Sequence, residues 1–481
     1  MIDILHEHSA LIIGAGYLIL ELTAIVAAVH AVMNVRTAQG AVAWLLALVT
    51  MPFIALPLYA VFGRRRFLGY VAARRAGDAA IERSAGALAG EAEESFRAEL
   101  DARSRRYLGF EKIAGAPFLR GNDVALLVDG EATFDAIFDA IGGAAGYVLV
   151  QFYIVRDDEV GRRLQDALLD CCRRGVKVYF LYDAIGSYDL PRRYVQTLRD
   201  AGARAEAFAS STGRMRRFQI NFRNHRKIVV VDGRTSFVGG HNVGEEYLGG
   251  DPRLAPWRDT HVRLAGPVAT VTQLPFVQDW YWTTGELPDV DWHPIACEAG
   301  HTALSLPSGP TDEVEAGALL FVHAIHSARE RLWIVSPYFV PNGSIIDALK
   351  LAALRGVDVR ILIAGLTDNR LVALAGRAYL PELIPSGVRV FHYANGFLHQ
   401  KVMLIDDDLA TVGTANLDNR SMRLNFEHTV VLADTALAAE VEAMLITDFA
   451  HSEEFDAAAA ADGPWWKKAA VRGARLLAPV L

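Results

Sequence analysis

Two stretches of the 481-residue chain carry the same reactive residues at the same spacing. In the first, His225 is followed by Lys227, Asp232, Gly239 and Asn242; in the second, His399 is followed by Lys401, Asp406, Gly413 and Asn416. A single copy reads equally well as a core histidine beside a surface lysine. Two copies at matched offsets do not. These residue types suit a phosphodiester. Two lysines and two asparagine amides can neutralise and hydrogen-bond its nonbridging oxygens, most strongly in the transition state. A histidine, with an ordinary pKa of about 6.5, keeps an unprotonated nitrogen that can attack phosphorus at neutral pH. Its partner can serve as general acid for the leaving alcohol and then as general base for the incoming one. The protein itself supplies the cations, so no metal and no other cofactor is expected.

These residues need particular elements behind them. On a strand, residues i and i+2 share a face, so each histidine and its lysine point the same way. Behind them run the apolar residues 228–231 and 402–405. Each aspartate ends such a strand, where it is expected to fix the following turn. Glycine and asparagine then follow an adjacent strand, residues 235–238 and 410–412. Further upstream, residues 147–154 (YVLVQFYI) resemble residues 332–339 (LWIVSPYF), and each follows an amphipathic stretch, 134–141 or 319–328. Each also precedes a helical segment and a second strand, 175–182 or 356–364. Apolar, β-branched runs alternating with helices predict largely parallel strands covered on both faces. The chain therefore reads as a duplication. Each half supplies one imidazole, one ammonium and one amide, and a pseudo-twofold axis would bring the two sets to one point.

Composition sets the surroundings. Hydrophobic residues make up 52%, charged residues 22%, and the formal net charge is -8. That excludes an intrinsically disordered chain and argues against a nucleic-acid partner. Three cysteines, Cys171, Cys172 and Cys297, exclude a disulfide framework. The mean hydropathy of +0.20 is high, and the excess sits at the start. Between residues 10 and 33 the ionisable residues are Glu21 and His30, and residues 41–62 carry no charge. Each run is long enough to span a hydrocarbon core of about 30 Å, and the short connection 34–40 makes a hairpin of them. A signal peptide would carry a basic leader, whereas Asp3 and Glu7 precede the first run. The connection has Arg36, while Arg64, Arg65, Arg66, Arg74 and Arg75 follow the second run. The positive-inside bias therefore places the rest of the chain in the cytoplasm.

The paired H-x-K-x4-D motif, followed by glycine and asparagine, resembles the phospholipase D superfamily. The resemblance implies that one histidine is transiently phosphorylated and that the other moves the proton. Analogy favours His225 as nucleophile, and pseudosymmetry makes His399 nearly as good. It also implies a carboxylate behind each ring. Glu427, 28 residues after His399, fits in the second half, and Asp259 in Trp257-Arg258-Asp259 fits in the first. Asp232 and Asp406 complete the motifs, resembling structural aspartates rather than bases. Lys227, Lys401, Asn242 and Asn416 would hold the substrate phosphate.

Across its length the chain resembles bacterial cardiolipin synthases. The matching segments include the hairpin, Gln151-Phe152-Tyr153, Arg223-Asn224-His225-Arg226-Lys227, Trp257-Arg258-Asp259-Thr260 and Ser336-Pro337-Tyr338-Phe339-Val340-Pro341. The implied reaction converts two phosphatidylglycerols to cardiolipin and glycerol in the cell (inner) membrane. The motifs alone leave open a hydrolase giving phosphatidic acid, phosphatidylethanolamine as donor, and a silent membrane scaffold. A basic run ending at the first motif (Arg214, Arg216, Arg217, Arg223, Arg226, Lys227) could draw an anionic headgroup to the site. Trp465-Trp466-Lys467-Lys468 begins an amphipathic tail suited to a membrane interface. The expected fold is α/β: a transmembrane helical hairpin (residues 1–75), a helical linker (76–116) and two homologous phospholipase D-type halves (117–290 and 291–481). One active site lies at the pseudo-twofold interface of the halves. The partners are phosphatidylglycerol, cardiolipin and the bilayer; no protein partner is indicated.

Overall fold

The computed structural model describes residues 9–35, 37–63, 77, 79, 81, 94–208, 221–456 and 464–480. Arg36, Arg64, Arg65, Arg66, Arg74, Arg75, Arg214, Arg216 and Arg217 lie outside the described residues, as does most of the linker up to residue 93. The chain divides into two compact units.

One unit holds the apolar N-terminal region. Its first helix is Ser9–Asn34, which contains the one span among the described residues long and apolar enough to cross a membrane by itself, Ile13–Asn34. The second apolar run is not one helix, as the sequence suggests, but two, Ala38–Thr50 and Pro52–Phe62. The break falls at Met51. Proline has no N–H to continue the ladder and disfavours helical geometry in the residue before it. The helices pack through Ala28, Ala31, Leu48, Ala55 and Tyr59. The Tyr59 hydroxyl meets His30 Nδ1 at 2.7 Å, and the Trp44 ring stands edge-on to Tyr59 at 5.0 Å. Leu11, Ile13, Val26 and Phe53 point outward, each more than two-thirds exposed. Such an apolar exterior is stable against lipid and costly in water.

The other unit is built on one mixed sheet. In the first half Tyr147–Phe152, Lys177–Asp183 and Arg204–Phe208 lie parallel, as do Arg331–Val335, Asp358–Ala364 and Arg389–Tyr393 in the second. The motif strands depart from the expected parallel order. Ile228–Val231 and Thr235–Gly239 form an antiparallel hairpin, as do Val402–Ile405 and Leu409–Gly413. A turn of three residues permits only that direction, because parallel neighbours need a long crossover. Thr260–Ala265 and Asn425–Leu432 extend the two hairpins, and the halves meet where Leu119–Val128 pairs with His301–Ser308. The strand order is therefore near-palindromic about that central pair. A shared core seals the junction, joining Val238, Val262 and Leu264 of the first half to Val402, Leu404 and Val430 of the second.

The globular fold begins earlier than residue 117. Tyr107 and Phe110 are fully buried in the core of the second half, and the Tyr107 hydroxyl bonds Asp408. The helix Leu108–Ala114 thus belongs to the domain rather than to a linker. At the other end, Trp465–Arg475 docks through buried Ala474, with the Arg475 guanidinium 4.5 Å from the centre of the Tyr379 ring.

Candidate functional site

Each histidine stands just before a buried four-residue strand, Ile228–Val231 or Val402–Ile405. The residues immediately ahead of each histidine pair with the opposite half. Arg223–Asn224 runs alongside Asn425–Phe426, and the His225 N–H donates to the Phe426 carbonyl at 2.9 Å. Likewise Phe397–Leu398 runs alongside Trp257–Arg258, and the His399 N–H donates to the Arg258 carbonyl at 2.8 Å. The residue after Phe426 is Glu427, and the residue after Arg258 is Asp259. This exchange of backbone pairing crosses the carboxylates. His225 Nδ1 lies 2.8 Å from Glu427 Oε2, and His399 Nδ1 lies 2.7 Å from Asp259 Oδ2. Each acid stands against the histidine of the other half, whereas offsets along the chain pair Glu427 with His399 and Asp259 with His225.

Glu427 and Asp259 are fully buried. Thr414 Oγ1 donates to Glu427 Oε2 at 2.5 Å, and Asn425 Nδ2 donates to Oε1 at 3.1 Å. Burial alone would raise Glu427, but the His225 ring, Lys227 and Thr414 hold it below the usual carboxylate range. Burial also pushes His225 down to about 4 and His399 well below its ordinary value. Both imidazoles are therefore neutral near pH 7. A carboxylate at Nδ1 selects the Nδ1–H tautomer, so the lone pair lies on Nε2. Lys227 and Lys401 are buried and hydrogen-bond the carbonyls of His225 and His399. Desolvation lowers Lys227 to about 7 and Lys401 to about 8. Each lysine disfavours protonation of both histidines, which places the four groups in one electrostatic site.

The asparagines are held differently. Asn242 Oδ1 accepts the Ile154 N–H at 3.1 Å, and its Nδ2 donates to the Tyr247 hydroxyl at 2.8 Å. Asn416 Oδ1 is buried with no hydrogen-bond partner. Asp232 and Asp406 do not join the constellation. Each lies at the far end of its strand, about 16 Å of chain beyond the lysine. Nor does either mainly brace the turn that follows it. Asp232 accepts the N–H groups of Ala145, Gly146 and Tyr147, and Asp406 those of Arg329, Glu330 and Arg331. Each thus clamps the chain entering the neighbouring strand of its own half, and their placement supports a structural role. Among the described residues no cluster of three His, Cys, Asp or Glu side chains is placed to hold a metal ion.

Sequence reasoning missed a second matched pair. Asp279 and Asp448 lie on the helices Pro267–Thr284 and Thr435–Ala450, and both are buried. Asp279 Oδ2 accepts from Gln151, Asn224 and Arg226, and the Arg226 Nε donates to the Glu427 carbonyl. Asp448 takes both oxygens to Arg258, at 2.7 and 3.0 Å, and accepts from Gln400 at 2.8 Å. Each aspartate therefore grips the residue after a histidine and steadies the strand bearing that histidine's carboxylate. The available signal was a lone acid in the mostly apolar stretch 267–284, where an unpaired charge could not be buried.

Two α/β halves closing a duplicated His–Lys set on one centre define a phospholipase D-like fold. The family model described as "Cardiolipin synthase, PLD-like domain" matches residues 137–251 and 321–448, and "Phospholipase_D-nuclease N-terminal" matches residues 22–64. Over 470 residues the chain is 48% identical to cardiolipin synthase A of Pseudomonas fluorescens, covering 97% of this chain and 98% of that one. It is 50% identical over 464 residues to cardiolipin synthase A of Pseudomonas aeruginosa, covering 96% and 95%. Phosphatidylserine synthase of Haemophilus influenzae shares the fold, with a TM-score of 0.60 and 14% identity over 79% of this chain and 100% of that one. The chain belongs to the cardiolipin synthase family.

Proposed function

We propose that the two halves form one active site that moves a phosphatidyl group between two phosphatidylglycerol molecules, giving cardiolipin and free glycerol. Family membership makes the chain a phosphatidyltransferase acting on phospholipids. The observation that carries the finer reading is the pair of neutral imidazoles, each tied at Nδ1 to a buried carboxylate and flanked by a buried lysine. Nε2 of one histidine attacks the donor phosphorus and the P–O bond to glycerol breaks. The other histidine, neutral in the empty site, first takes a proton from solvent at Nε2, which the bound phosphate anion and its buried carboxylate favour, and gives that proton to the departing oxygen. The first ring has lost its acceptor nitrogen to phosphorus, and Glu427 or Asp259 balances its positive charge. A hydroxyl of the second phosphatidylglycerol then gives its proton to the second histidine and attacks phosphorus, releasing the first. One phosphodiester replaces another, so no activated donor is consumed. Lys227, Lys401, Asn416 and the remaining donor hydrogen of Asn242 face the charge that builds on the phosphate.

The setting follows from the same reading. The outward apolar residues of the N-terminal helices support residence in the cell membrane, with the broken second segment completing the hairpin and the catalytic halves in the cytoplasm. The C-terminal helix supports contact of those halves with the bilayer. Trp465, Trp466 and Leu476 are each more than half exposed, beside Lys467, Lys468 and Arg472. Aromatic rings and cations of this kind favour an anionic interface. The test is purified full-length protein in phosphatidylglycerol vesicles, with products identified by mass spectrometry. Cardiolipin and glycerol in equal amounts are expected. Phosphatidic acid would reassign the acceptor to water, and no product would leave a scaffold. His225→Ala and His399→Ala should each abolish synthesis; substantial residual synthesis in either would overturn the two-histidine mechanism.

A further inference from the structure

Neither helix of the second apolar run can cross a membrane by itself. Ala38–Thr50 has 13 residues and Pro52–Phe62 has 11, about 20 and 16 Å of helix. A hydrocarbon core is about 30 Å thick, and apolar helices this short suit segments that enter a bilayer and return. The pair could still cross if one helix continued the other, and it does not. Trp44 lies seven residues before Met51, and Tyr59 lies seven residues after Pro52. On a continuous helix they would stand about 22 Å apart along the axis. Their rings meet at 5.0 Å. The chain therefore doubles back between them. It does so at Met51, whose backbone leaves the helical region at φ −138° and ψ 58°, just ahead of Pro52.

The first helix shows where the doubled chain ends. Tyr59 meets His30 Nδ1 at 2.7 Å, and His30 is one turn from the end of Ser9–Asn34. Ala28 and Ala31 share one buried cluster with Leu48, Ala55 and Tyr59, and such small residues let helices approach closely. A second crossing would carry Tyr59 the other way, towards Ser9. Instead Phe62 and Gly63 come back to the level of the connection 34–38. The His30 and Tyr59 polar atoms satisfy each other at a depth where water is scarce. At the reversal Met51, Phe53 and Ile54 are each more than half exposed, an apolar tip that lipid covers at no cost.

We propose that residues 38–62 form a wedge that enters one leaflet of the bilayer, turns at Met51 and leaves by the same face, so that the chain crosses once, through Ile13–Asn34. The wedge rests on the membrane residence read above, and it replaces the second crossing that hydropathy suggests. The charges of the sequence agree with it. Arg36 lies in the connection, Arg64, Arg65 and Arg66 follow Gly63, and Asp3 and Glu7 precede the first helix. Two crossings would put Arg36 on the opposite side from the other three arginines. The wedge gathers all four on one side, which the positive-inside bias makes the cytoplasm, and leaves Asp3 and Glu7 on the other.

A membrane-impermeant maleimide tests this on the full-length protein in spheroplasts, before and after lysis. Asp3→Cys, Gln39→Cys and Ser84→Cys place one thiol ahead of the first helix, one at the connection and one beyond Gly63. Labelled peptides are located by mass spectrometry, so the native thiols Cys171, Cys172 and Cys297 stay in place. Cardiolipin formation by each variant reports an intact protein. Asp3→Cys should be labelled in intact spheroplasts, and Gln39→Cys and Ser84→Cys only after lysis. Asp3→Cys and Ser84→Cys on one side, with Gln39→Cys on the other, would mean two crossings and overturn the wedge. The expected pattern with inside and outside exchanged would overturn the cytoplasmic orientation and leave the wedge standing. All three thiols on one side would overturn the membrane-spanning reading itself.

Discussion

The crossed wiring of the carboxylates makes a prediction that no arrangement within single halves shares. Glu427→Gln removes the charge behind His225, and Asp259→Asn removes the charge behind His399. Each bond is short, at 2.8 and 2.7 Å, and each acid is fully buried, so solvent cannot substitute. A charge-assisted hydrogen bond in such a place is worth about 3 kcal/mol, and the amide also frees the ring to adopt the wrong tautomer. A loss of about 10²–10⁴ in kcat is expected from either change; neutralising the buried aspartate of a serine protease costs about 10⁴. The assay is a phosphatidyl ester of p-nitrophenol, whose leaving group needs little help from a general acid, followed by mass spectrometry of the trapped phosphohistidine. If the label lies on His399, Glu427→Gln leaves its formation intact and blocks its turnover, while Asp259→Asn prevents its formation. If the label lies on His225, the two variants exchange behaviour. A variant that prevents labelling of the histidine in its own half, and not of the one opposite, would refute the crossed wiring.

Other expectations follow from the same geometry. Lys227 and Lys401 are lowered to about 7 and about 8, so raising the pH strips the charge that holds phosphate. The kcat/KM for phosphatidylglycerol should therefore fall above about pH 8, although an ordinary lysine would keep its charge to about pH 10. A flat profile to that point would count against the buried lysines. Gly240 lies against the acid that orients His399, and a Cβ there would stand 2.0 Å from Asp259 Oδ1. Gly240→Ala should displace the carboxylate and cost about 10²-fold in cardiolipin formation; unchanged activity would refute the packing. Asp448→Asn should break the paired bonds to Arg258, destabilising the domain by about 3 kcal/mol. That is read as a lowered Tm in detergent, and an unchanged Tm would show the pair to be dispensable. Trp465→Phe with Trp466→Phe should remove much of the fluorescence quenching caused by brominated lipids, whereas a helix away from the bilayer would leave quenching unchanged.

Much of this was legible in one dimension because it is periodic or local. Matched offsets from His225 and His399 reveal a duplication without any coordinates. The hydropathy of residues 10–33 and 41–62 marks where the apolar excess lies. The short apolar runs behind each lysine read as buried strands, and they are. Boundaries and directions were less legible. Tyr107 and Phe110 join the core of a half that starts almost two hundred residues later, and nothing near them in the chain announces that partner. Met51 interrupts a run that hydropathy reads as continuous, because hydropathy does not register the N–H that Pro52 lacks.

Residue type and spacing thus singled out two histidines, two lysines and two asparagines, and the family resemblance implied an acid behind each ring. Neither decided which acid serves which ring. Offsets along the chain favour Glu427 for His399 and Asp259 for His225, since each pair shares a half. The tertiary structure decides otherwise, because the strands leading into each histidine pair with the strand of the opposite half. Backbone hydrogen bonds across that junction fix the register, and the register brings each carboxylate to the other half's histidine. Asp279 and Asp448 gain their meaning the same way. A lone buried acid has no role that composition can assign until the fold brings an arginine or an amide to it.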